Sequence, residues 1–124
     1  MIQIVAAMPP LPQLRQEIDL HPGPRLRDGQ PTWTLHDPSR NQFYRIDWQT
    51  FCILSRWHLG DAHAVCRAIQ DETTLQPDIE DVRGVIEFLA ENQLLRPGGT
   101  ESARLMSERL HRLRGPLWRR VLHN

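Results

Sequence analysis

The chain has 124 residues, room for one ordinary hydrophobic core and too little for two. Its 40% hydrophobic and 24% charged residues are the mix of a folded globular protein, and no apolar run approaches the roughly 20 residues that cross a bilayer. All fifteen basic residues are arginine, balanced by fifteen acids, and a chain without lysine cannot build a Walker-type phosphate loop.

The neutral total hides a gradient. Residues 1–95 carry eight arginines against thirteen acids, whereas residues 96–124 carry seven arginines against Glu101 and Glu108 alone, so an acidic body bears a basic tail. Cys52 and Cys66 fall inside helical patterns and read as buried free thiols. The first ten residues lack the basic n-region and apolar length of a secretory signal, which together with the thiols places the chain in the cytoplasm.

Residues 1–14 are apolar but interrupted by Pro9, Pro10 and Pro12, the pattern of a flexible or docked arm. Residues 15–20 alternate Glu17 and Asp19 with Ile18 and Leu20, predicting a first strand that His21-Pro22-Gly23-Pro24 should stop. Residues 32–36 predict a second strand and 43–46 a third, joined by the turn residues Asp37-Pro38-Ser39-Arg40-Asn41. The three should form a small antiparallel sheet.

Asp47 is placed to cap a helix over residues 48–58, with Ile46, Thr50, Ile53, Leu54 and Trp57 on one stripe. Trp48, Phe51 and Cys52 lie off that stripe, so Trp48 and Phe51 mark a candidate contact surface, including one between two copies of the chain. Gly60-Asp61 should end this helix and cap a second over residues 62–72, with Val65, Ala68 and Ile69 inward. A third begins at Asp78, with Val82, Val85, Ile86 and Leu89 as its inner stripe, and Leu94-Leu95 fits either a last short strand or a plain stop. The fold class is then α+β and winged-helix-like: a three-stranded sheet, three helices, and an appended amphipathic helix carrying Ala103, Met106, Leu110 and Leu113.

No catalytic constellation emerges. No G-x-G-x-x-G or G-x-S-x-G run occurs, and the six histidines, His21, His36, His58, His63, His111 and His123, include no H-E-x-x-H pair, so metal, cofactor and nucleophile readings are set aside. Winged helices commonly bind DNA, but the third helix carries Asp78, Glu80, Asp81, Glu87 and Glu91 against Arg83, which repels phosphate; no nucleic-acid partner is expected, and a DNA binder is the runner-up. In the tail, Arg112, Arg114, Trp118, Arg119 and Arg120 suit an ordinary solvated face first and an anionic membrane surface second.

Trp33-Thr34-Leu35 through Asp37-Pro38, then Phe43-Tyr44-Arg45-Ile46-Asp47 and the helix with Ile53-Leu54, resemble the PqqD-like domain, and the likeness continues through Asp61 to Ile69, Asp81-Val82, Phe88-Leu89 and Leu94-Leu95 to about residue 97. The whole chain also resembles the cytoplasmic N-terminal region of membrane proteins related to site-2-type zinc metalloproteases. That likeness implies a membrane domain beyond Asn124 and a place at the inner face of the membrane. The family's zinc motif does not occur in this sequence, so the resemblance implies no catalytic residue here. It implies a domain boundary near residue 97 and a non-catalytic module that receives a peptide as an added strand. On this chain the edge would be Phe43, Tyr44 and Arg45 and the groove wall Val82, Arg83 and Ile86; Tyr44, Val82 and Ile86 fit core positions equally well.

Overall fold

The computed structural model describes residues 10–23, 27–29 and 31–114, with residues 113 and 114 described by their backbone only. Three strands, β1 (Asp19–Pro22), β2 (Trp33–Asp37) and β3 (Gln42–Ile46), form an antiparallel sheet in the order β1-β2-β3. Four α-helices follow: α1 (Trp48–Ser55), α2 (Ala62–Glu72), α3 (Ile79–Glu91) and α4 (Gly99–Arg114).

The period of two sorts the sheet residues onto two faces. Leu35 and Ile46 are buried in the core with Leu20, Trp33 and Tyr44 packed against it. The register sets Asp19 opposite His36 and His36 opposite Phe43, and in the next row His21 opposite Thr34 and Thr34 opposite Arg45, so these six share the outer face. Asn41 closes the β2–β3 turn at φ 54°, a left-handed conformation that asparagine tolerates.

The first strand differs from expectation. Leu14 pairs with Leu95 in a single antiparallel bridge, with Arg15 N–H donating to the Leu94 carbonyl (3.0 Å) and Arg96 N–H to that of Gln13 (2.9 Å). A turn at residues 16–17 then separates this bridge from β1, which runs through Pro22 instead of stopping before it. At the sheet's edge, a missing amide donor is tolerated. Residues 11 and 12 are held against the helices: Leu11 is buried and donates to the Gly60 carbonyl (2.9 Å), and the Trp57 indole donates to the Pro12 carbonyl (2.7 Å).

Each of the first three helices starts at the aspartate expected. Asp47 accepts from the Thr50 amide (2.8 Å), Asp61 from that of Ala64 (3.0 Å), and Asp78 and Asp81 form a reciprocal capping box. The first helix ends at Ser55, three residues early, and a 3-10 turn over Trp57–Leu59 closes on Gly60 at φ 77°. Cys52, off the predicted stripe, is buried: α1 has both α2 and α3 as neighbours, which widens the arc it can cover. Ala103, Met106 and Leu110 of α4 are buried in the same core as Val82, Val85, Ile86 and Leu89, and α3 with α4 is the most extensive helix pair. Each fully buried leucine or isoleucine in this cluster contributes about 1.5–3 kcal/mol.

Candidate functional site

Among the described residues β3 pairs with β2 on one side only, so its other side is a sheet edge. The opposite edge, β1, contains Pro22, which has no amide to offer, whereas every residue of β3 has one. Beside β3 and the start of α1 runs a groove of about 470 Å³ whose far wall is α3. Arg45 and Gln49 stand on the near side; Glu80, Asp81, Gly84, Val85 and Phe88 form the far wall. Gly84 is exposed, and a Cβ there would meet nothing within 4 Å, so the missing side chain leaves the groove open. Around the end of β3 a second hollow of about 770 Å³ shares Arg45, Ile46, Asp47 and Gln49 with the groove and is lined by Trp33, Trp48 and Leu75.

The predicted site residues divide. Arg45 is exposed, lines both hollows and has no ion pair among the described residues. Tyr44 points to the core face and meets Phe88 edge-on at 5.6 Å, which ties the edge strand to α3. Phe43 lies on the outer face, 61% exposed, stacked on His36. Val82 and Ile86 are fully buried and give a peptide no wall; Arg83 faces away, bound to Glu80 and, at 3.2 Å, to Glu87, beside a hollow between α3 and α4. The groove-facing residues of α3 are thus Glu80, Asp81, Gly84, Val85 and Phe88. A glycine inside an amphipathic helix, with an aromatic four residues on, was the available signal.

The acids around the groove are committed. Asp47 caps α1, Asp81 accepts from the Asp78 amide (2.9 Å), and Glu80 holds Arg83. Among the described residues Arg45 is the groove's one charge without an ion pair or a capping role. Of the proposed contact surface, Phe51 stacks on Trp33 at 3.7 Å within the molecule, while Trp48 is 44% exposed beside a hollow of about 590 Å³ that also takes in Leu59.

On the sheet's outer face Asp19, His21 and His36 bring ligand atoms within 4.8 Å of one another. No sequence spacing announces this group, because cross-strand register assembles it. Of the basic tail, Arg112 is exposed on α4; the side chain of Arg114 and residues Trp118, Arg119 and Arg120 lie outside the described residues. Among the described residues no helix is long and apolar enough to cross a membrane.

No family model, curated protein or solved structure matches this chain.

Proposed function

We propose that this domain is a non-catalytic, winged-helix-like and PqqD-like recognition module that binds a peptide as a fourth strand along β3, and presents it to a membrane-bound peptidase-like or secretion partner. The observation that carries this reading is the open, proline-free edge of β3 with the groove against α3 running beside it. Unpaired amides and carbonyls would supply affinity, and the groove would select among side chains. Phe88 and Val85 favour an apolar peptide residue, while uncommitted Arg45 favours a carboxylate-bearing one. The resemblance through Phe43-Tyr44-Arg45-Ile46-Asp47 supports the same edge.

A DNA-binding role draws less support. The one arginine of α3 is held by Glu80 and Glu87, and α4 packs along one flank of the helix that would have to enter a groove. A docking or dimer surface is favoured by exposed Trp48 and Leu59, and solution size by light scattering tests it.

The test is an amide-shift NMR titration of the chain with precursor peptides encoded beside its gene. Shifts should concentrate at residues 43–46 and 81–88, and Arg45→Glu should weaken binding about tenfold with little change in Tm, because an exposed charge contributes little to folding. Silence with every peptide, or full affinity in Arg45→Glu, counts against the assigned edge.

A further inference from the structure

The outer face of the sheet is polar where β1 meets β2. Asp19 and His21 are two apart on β1 and therefore emerge on the same side, and the register puts His36 of β2 directly opposite Asp19 and diagonal to His21. The imidazole rings of His21 and His36 lie with centroids 6.1 Å apart, tilted by 47°. Asp19 and His21 are exposed, so an ion reaches them from solvent, whereas His36 is half-buried. The Nε2 atom of His36 is buried with no hydrogen-bond partner among the described residues, and its ring lies flat on that of Phe43, 4.2 Å away at 7°. That stack holds one imidazole plane while the other two side chains are free to close on it.

We propose that Asp19, His21 and His36 form a binding site for a divalent transition-metal ion of the zinc class. Two imidazoles and one carboxylate suit borderline-soft cations, whereas calcium and magnesium prefer sites made wholly of oxygen. Tetrahedral coordination with bonds of about 2.0–2.2 Å requires ligand atoms about 3.4 Å apart. Here they lie within 4.8 Å, a gap that rotation of the two exposed side chains closes without moving the backbone. Coordination would clasp β1, the outer strand, onto β2. With three protein ligands, a fourth position stays open to water or to a group from a bound partner. The site stands on the β1–β2 pair, so it does not depend on peptide binding at β3.

The experiment is a calorimetric titration of the untagged chain with Zn²⁺, repeated with Co²⁺ for its visible d–d bands. One ion per chain should bind. His21→Gln and Asp19→Asn, both at exposed positions, should each lower affinity by about tenfold or more, and His36→Ala should do the same. His63→Ala, on α2 and outside the cluster, should leave affinity unchanged. If His36→Ala weakens the fold by removing the Phe43 stack, the other two variants still decide the matter. No binding at millimolar Zn²⁺, or binding that survives both His21→Gln and Asp19→Asn, overturns the site.

Discussion

Arg15 donates through Nη2 to Oδ2 of Asp37, a carboxylate with no exposed surface, across 22 residues of chain. Its Nη1 also donates to Ser39 Oγ (2.7 Å), which in turn donates to Asp37 Oδ1 (2.8 Å). The guanidinium thus fastens the segment before β1 to the turn between β2 and β3. A buried carboxylate deprived of its cation is expensive, so Arg15→Met should destabilise the fold by about 3 kcal/mol, measured by urea denaturation. Asp37→Asn should cost less than Arg15→Met, because it removes the buried charge itself.

The same pair sets an acid limit. Burial alone would raise the Asp37 carboxyl, but hydrogen bonds from Ser39 and Arg15, with the charge of Arg15, outweigh it and hold the group below its ordinary 3.8. The unfolded chain therefore takes up this proton first as pH falls. Stability from Asp37 is complete above the unfolded value and is lost as pH drops from there through the lower folded value. Urea midpoints between pH 5 and 2.5 should fall more steeply in the natural chain than in Asp37→Asn.

Gly84 separates folding from binding. An added Cβ meets nothing within 4 Å, so Gly84→Ala should stabilise α3 by about 1 kcal/mol, seen as a higher Tm. Gly84→Trp places a large ring in the groove beside β3 and should abolish peptide shifts at residues 43–46 while the chain stays folded. Undiminished peptide binding in that variant would disconnect the groove from recognition.

Cys66 should be chemically quiet. Burial, followed by the charges of Asp78, Asp81 and Asp61, pushes its thiol up to about 11 from 9.0, so near pH 8 its thiolate fraction is about 100-fold below that of an ordinary cysteine. Disulfide reagents should label Cys66 in the native protein at a small fraction of the rate seen in urea, with mass spectrometry assigning the site. Fast native labelling would mean that α2 opens readily.

Local chemistry carried much of the architecture. Asp47, Asp61 and Asp78 cap helices because a carboxylate just ahead of a helical stripe can reach orphan amides, an interaction spanning three residues. The stripe of Val82, Val85, Ile86 and Leu89 faces the core because 3.6-residue periodicity admits one apolar side. The β2–β3 hairpin follows from its turn residues in the same way.

The sequence by itself therefore determined the β2–β3 hairpin, the starts of the first three helices, the inner stripe of α3 and its acidic character, since each depends on neighbours a few residues away. The tertiary structure alone decided the rest. Which side of α3 meets an open strand edge depends on β3 lying along one flank and α4 along the other, which turns Gly84 and Phe88 toward the groove and sends Arg83 away. Asp19 and His36, 17 positions apart, become neighbours only through register, and Arg15 finds Asp37 only once the chain has folded back. Such pairings follow from the packing of whole elements, and short-range periodicity contains no record of them.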